Sequence, residues 1–169
     1  MSTTTILVGE GFVGSGAHVA HVNVVLGQRD GPVGTAWATA LATPRPGHVA
    51  FVCVARPGVP VEPPTLFVNK ATLAGPVHEQ LTWGAAQAGV AGGVADHIRA
   101  AGWALARAAT NLLIASVWVD PTASDAEAIY TNNRAATALA LGSTTPTQAS
   151  WVAFISAAAD PWNPYFRPR

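Results

Sequence analysis

His21 and Asn23 stand two residues apart in Val19–Leu26, a Val-rich run with the alternation of a β-strand. Side chains alternate across a strand, so the imidazole and the amide share one face while Val22 and Val24 share the other. A solvated edge strand would explain that pattern. So would the floor of a site that holds a titratable imidazole, a suitable proton donor near neutral pH, beside a hydrogen-bonding amide. Thr65–Thr72 repeats the theme, with Lys70 and Thr72 on one face, and Lys70 is the one lysine in the chain. A lysine ending an apolar strand can snorkel its ammonium to water or use it to hold a ligand. Gln87, at the start of an alanine-rich run, can satisfy a helix end or read a ligand amide. His18 and His21 form a His-x-x-His pair, but on a strand that spacing points them to opposite faces, so no metal site is expected. The glycine-rich stretch Gly9–Gly16 lacks the Gly-Lys-Ser/Thr of a P-loop. Cys53, alone of its kind, excludes a disulfide framework and a cysteine zinc site, and its apolar neighbours predict a packed, inert thiol.

The elements that must position these residues follow from pattern and punctuation. Ile6–Val8 reads as a short strand, Gly9–Gly16 as a loop or bulged turn, and Val19–Leu26 as a strand. Gly31-Pro32 opens a helix through about Ala42, because proline suits a first helical turn, and Pro44–Gly47 ends it. His48–Ala55 reads as a strand, Arg56–Pro64 as irregular and Thr65–Thr72 as a strand. Gly84–Ala101 is helical despite Gly92-Gly93, each glycine weakening a helix by roughly 1 kcal/mol relative to alanine; the pair suits a tight packing face. Asn111–Val119 is a buried strand. Ser124–Leu141 is a helix with Ser124 and Glu127 as a capping pair. The fold class is α+β, a two-layer arrangement of a mixed sheet with helices on one face. Residues 1–142 form one domain and 143–169 a divergent C-terminal tail, packed on the domain or on a neighbouring subunit.

Composition bounds the partners. Half of the 169 residues are apolar and 11% are charged, against about 25% in ordinary soluble proteins. So little charge suits an oligomer that hides part of its surface. The formal net charge is zero and the cations are scattered, which argues against nucleic acid. Met1–Thr5 lacks the basic region of a signal peptide and no apolar run is long enough to span a bilayer, so a cytoplasmic location without a membrane partner is expected.

Three segments together resemble the formaldehyde-activating enzyme family. They are Val8-Gly9-Glu10 with Gly14, Gly16 and Val19-Ala20-His21-Val22-Asn23; Pro63-Pro64-Thr65-Leu66-Phe67-Val68-Asn69-Lys70-Ala71-Thr72; and Gly84-Ala85-Ala86-Gln87-Ala88-Gly89-Val90-Ala91. The resemblance runs in one register from about Ile6 to Gly142. It implies a fold like domain 2 of ribosomal protein S5, a homopentamer with clefts between subunits, and a lyase that condenses formaldehyde with tetrahydromethanopterin in one-carbon metabolism and formaldehyde detoxification. It implies no permanently bound cofactor; the reduced pterin is a co-substrate. By the same resemblance His21 is the proton donor, and Asn23, Val52, Lys70, Thr72 and Gln87 contact the pterin. The chain departs from the family pattern at Asn23, where the family has Asp, and at Ala88, where it has His. The first change removes a carboxylate from beside a reacting cation, and Glu10 is the candidate to supply the charge. Two alternatives follow from these departures: a non-catalytic pterin-binding or sensing homologue, or the same condensation with a different amine carrier.

Overall fold

The computed structural model describes residues 6–163 and 165–169. In chain order the elements are β1 (Leu7–Val13), β2 (Ala20–Gln28), α1 (Pro32–Ala42), β3 (Phe51–Val52), β4 (Val54–Arg56), β5 (Val59–Pro60), β6 (Thr65–Asn69), α2 (Pro76–Gln80), α3 (Gln87–Ala100), α4 (Leu105–Thr110), β7 (Asn111–Trp118), α5 (Ala126–Gly142) and α6 (Gln148–Ala157). A π turn, Leu81–Ala86, joins α2 to α3.

The main sheet has the order β1-β2-β7-β6-β3. It is mixed, as expected: β6 and β7 are parallel and the other pairs antiparallel. The register defines two faces. Val22 lies beside Val117, and Val24, Ala115 and Phe67 form a row; these side chains are fully buried with Val90 and Val94 of α3 and Ile129, Ala136 and Ala140 of α5. Apolar burial on this face supplies most of the driving force for folding. The opposite face carries the rows Val25–Ile114–Leu66, Asn23–Ser116–Val68 and His21–Trp118.

That second face is not bare. Leu66 is fully buried on it, and Ala36 and Ala40 of α1 share an open groove of about 780 Å³ with Val68. The expectation of helices on one face therefore holds for α3 and α5 but not for α1. Its reason is the apolar row Val25–Ile114–Leu66, which needs cover on its own side.

The glycine-rich loop expected over Gly9–Gly16 is instead mostly strand, since β1 runs to Val13. Gly9 and Gly11 face α5, and a Cβ on either would overlap the carbonyl oxygen of Ala140 or Ala136. Glycine here permits a helix to lie against the strand rather than breaking it. The same device joins α3 to α5: a Cβ on Gly89 or Gly93 would strike the α5 backbone, so the predicted packing face is real. Asp96 of α3 and Arg134 of α5 clamp that seam through two hydrogen bonds of 2.6 and 2.9 Å. The cap of α5 is Asp125, whose carboxylate accepts from the N–H groups of Glu127 and Ala128, and not Ser124.

His48–Ala55 forms two short strands that part at Cys53. Cys53 is fully buried, and its backbone N–H and C=O bond to Thr65 and Val61. Burial pushes its thiol up to about 12, an inert state at neutral pH. The stretch Arg56–Pro64, expected to be irregular, holds the turn and second strand of the β4–β5 hairpin. Among the described residues no helix is long and apolar enough to cross a membrane.

Candidate active site

Strand register assembles the site. Phe12, His21 and Trp118 occupy one row across β1, β2 and β7. Because β6 runs parallel to β7 with Asn69 beside Val117, the next residue, Lys70, arrives level with Trp118. The Lys70 N–H donates to Val117 O at 2.8 Å, which fixes its backbone there. Its side chain then reaches β2, donating from Nζ to Asn23 Oδ1 at 2.5 Å and to His21 O at 3.2 Å. His21, Asn23 and Lys70 are thus brought together as the sequence suggested, although β6 ends at Asn69, so Lys70 and Thr72 lie beyond the strand.

Glu10 completes the cluster. It pairs with Asn23 in the β1–β2 ladder, and its Oε1 lies 3.1 Å from His21 Nε2. The carboxylate offered as a possible replacement for the one missing at position 23 therefore stands beside the imidazole. Burial lowers the pKa of His21, and the Lys70 charge lowers it further; Glu10 opposes both. Burial also draws Lys70 down to about 8, against the pull of Glu10. Two titratable groups with depressed pKa values on one cavity mark a candidate site for acid–base chemistry. The cluster opens on a cavity of about 330 Å³ lined by His21, Lys70, Trp118 and Tyr165.

Trp118 and Tyr165 were not singled out in the sequence. Trp118 is recognisable only once β7 is paired with β2 in this register. Tyr165 comes from the C-terminal segment, where it packs edge-on against Phe12 at 5.7 Å while Phe12 lies 5.6 Å from His21.

The other expected ligand contacts lie elsewhere. Thr72 is exposed, and its hydroxyl sits 3.3 Å from Nε2 of His48, whose Nδ1 is 3.0 Å from Asn69 O. Val52 pairs with Leu66 on the edge strand β3. Gln87 opens α3 on the far side of the sheet and donates to Val54 O at 2.8 Å. His18 is not on the strand, as the His-x-x-His reading assumed: it ends a short 3-10 turn, Gly16–His18, before β2, and it accepts from the N–H groups of Ser124 and Asp125 at the start of α5.

Comparison with known proteins bears on this arrangement. Residues 8–160 match the family described as Formaldehyde-activating enzyme (Fae). The 5,6,7,8-tetrahydromethanopterin hydro-lyase of Methanosarcina barkeri is 38% identical over 135 residues, covering 80% of this chain and 76% of that protein. The bifunctional enzymes Fae/Hps of Methanococcoides burtonii and Archaeoglobus fulgidus are each 38% identical, over 136 and 134 residues, or 80% and 79% of this chain. The chain spans about a third (34%) of the length of these bifunctional relatives. A match that takes in β1, β2, β6 and the whole α3–α5 layer covers every strand that carries the His21 cluster, and the chain belongs to the formaldehyde-activating enzyme family.

Proposed function

We propose that the chain is a carbon–oxygen hydro-lyase that condenses formaldehyde with tetrahydromethanopterin, or a related reduced pterin, to the methylene derivative and water. The observation that carries this reading is the half-buried His21, 3.1 Å from Glu10 and on one cavity wall with Lys70, in a member of this family. A secondary amine of the pterin adds to the aldehyde carbon and gives a carbinolamine. Its hydroxyl leaves as water only when protonated, and His21 in its imidazolium form is the donor. The resulting iminium cation is closed by a second pterin nitrogen. Glu10 favours the protonated imidazole before transfer and the cation after it. Asn23 contributes no charge; it holds Lys70 through its amide oxygen.

Val52, Thr72 and Gln87 are proposed as pterin contacts on a second copy of the chain. Gln87 lies across the sheet from His21, so one chain alone does not gather all six residues. A homopentamer with intersubunit clefts is the proposed assembly. It is supported by the low charge and by α6, which buries none of its residues and exposes Trp151, Val152, Phe154 and Ile155. In this proposal α6 of the C-terminal tail packs on a neighbouring subunit, while the segment that carries Tyr165 stays against its own β1. The parallel β6–β7 pair in an otherwise antiparallel sheet, joined through α2, α3 and α4, supports a fold related to domain 2 of ribosomal protein S5. The proposed setting is one-carbon metabolism and formaldehyde detoxification in the cytoplasm.

The test is direct. Purified protein is mixed with formaldehyde and tetrahydromethanopterin, and the methylene product is followed by absorbance. Wild type should exceed the spontaneous rate, and His21→Ala should lose about 10²-fold or more of that excess, within the usual range for general acid catalysis. Equal rates for the two proteins would remove His21 from the mechanism. Pterin binding without catalysis in either form would leave a binding homologue as the better description.

A further inference from the structure

The chain has one lysine, and the structure gives it the environment of a nucleophile rather than of a surface charge. Lys70 Nζ donates to two oxygens, Asn23 Oδ1 and His21 O, and neither carries a formal charge. Among the described residues no carboxylate oxygen lies within ion-pair distance of it. A neutral amine has two N–H bonds and one lone pair. Here both N–H bonds have acceptors on β2, and the side chain lines the cavity it shares with His21, Trp118 and Tyr165. The position that would neutralise an ammonium, residue 23, is occupied by an amide.

We propose that Lys70 itself captures formaldehyde, its neutral Nζ adding to the aldehyde carbon, so that the one-carbon unit reaches the pterin from a lysine-bound iminium. The idea rests on the formaldehyde reading above, names a further catalytic residue for it, and replaces direct addition of the pterin amine to the aldehyde by its addition to the lysine-bound carbon. In the first step the Nζ lone pair forms a C–N bond, the C=O π pair moves to oxygen, and one proton passes from nitrogen to that oxygen. Imidazolium His21 then protonates the hydroxyl, the C–O bond breaks, and water departs to leave the iminium. A pterin nitrogen attacks the methylene carbon and gives up its proton to the imidazole. The resulting bridge collapses as Nζ takes that proton back from the imidazolium and its C–N bond breaks. This regenerates the amine of Lys70 and leaves a pterin iminium that the second ring nitrogen closes, giving its own proton to the imidazole and restoring the imidazolium. The sum is formaldehyde plus pterin to methylene-pterin plus water, with no oxidant or reductant.

Burial supports the nucleophile. With Lys70 drawn down to about 8, roughly a tenth of it is neutral at pH near 7, against well under ~0.1% of an ordinary lysine at about 10.4. A less basic amine is also intrinsically less reactive, so the net advantage is expected at about tenfold or more.

The experiment needs no pterin. The intact protein is treated at neutral pH with formaldehyde and sodium cyanoborohydride, which reduces an iminium to a methylamine. Nα-acetyllysine is present in the same tube as the reference amine. Peptide mass spectrometry should find Lys70 methylated at least about tenfold faster than the reference. Asn23→Asp, which places a carboxylate where the amide oxygen stands, should slow that methylation about tenfold by holding the ammonium. Methylation of Lys70 no faster than the reference, or unaffected by Asn23→Asp, would overturn the proposal. Fast trapping without pterin condensation would sink the proposed function and leave the nucleophile standing; condensation without trapping would do the reverse.

Discussion

Replacing Glu10 by Gln isolates the electrostatic part of the His21 site. The substitution keeps side-chain shape and an acceptor oxygen, and removes the charge 3.1 Å from His21 Nε2. Two unit charges at that distance attract by roughly 1.3 kcal/mol in water and about 5 kcal/mol at an effective dielectric of about 20. The Glu10 side chain is 54% exposed and that of His21 28%, so solvent screening pulls the value to the low end, about 1 kcal/mol. That is roughly 0.7 of a pKa unit. Burial and Lys70 already hold His21 below its ordinary value and Glu10 raises it, so Glu10→Gln should lower it further. Proton NMR titration of the imidazole signals reads this directly, with the His21 resonance assigned by its loss in His21→Ala. The imidazole-dependent limb of the pH–rate profile should move to lower pH by the same amount. The sign for stability follows by linkage. A histidine whose folded pKa lies below its unfolded value contributes stability that is fully present above about pH 6.5 and is lost as the pH falls from there through the lower folded value. Without Glu10 that acid loss grows by about 1 kcal/mol, so the gap between the urea midpoints of variant and wild type should widen from about pH 8 to about pH 5. A His21 titration that stays put or rises in Glu10→Gln would refute the assigned role.

Gly11→Ala drives a methyl group into the Ala136 carbonyl of α5; overpacking of this kind costs about 1–3 kcal/mol, measurable as a lower denaturation midpoint. Light scattering of the wild-type protein should give the mass of about five chains, and Phe154→Asp, which charges the unburied apolar surface of α6, should shift the mass toward the monomer. A monomeric wild type would remove the intersubunit cleft.

Period-two alternation was enough to place His21 and Asn23 on one face of β2, because burial of Val22 and Val24 leaves a strand no other choice. Proline and glycine punctuation likewise found α1, opened by Gly31-Pro32 and ending at about Ala42. The same signals failed where a tertiary contact sets the meaning of a residue. Gly9 and Gly11 look like loop residues until α5 lies against them. The helical layer begins at Pro76, before the expected Gly84, because the π turn Leu81–Ala86 carries the chain on from α2 into α3. Ser124 and Asp125 are both good caps, and only the geometry selects Asp125. The segment read as a divergent tail contains α6, whose apolar residues have no helical stripe that would announce a buried face.

Lys70 shows why the site needed the sheet as well as the sequence. It lies 49 residues from His21 in the chain, measured by its bond to His21 O, and no local pattern joins the two. The join is made by strand direction. β7 runs antiparallel to β2, so its C-terminal Trp118 meets His21 near the start of β2. β6 runs parallel to β7, so its C-terminal end also arrives in that row. Were β6 antiparallel to β7, Thr65 rather than Lys70 would occupy the position, and no cation would reach Asn23. The one parallel pair in the sheet is therefore what sets an amine, an imidazole and, from β1, a carboxylate around a single cavity. Of the segments α2, α3 and α4 that make this parallel connection, α3 buries the opposite face together with α5, and the reacting face is left open toward α1 and the C-terminal segment.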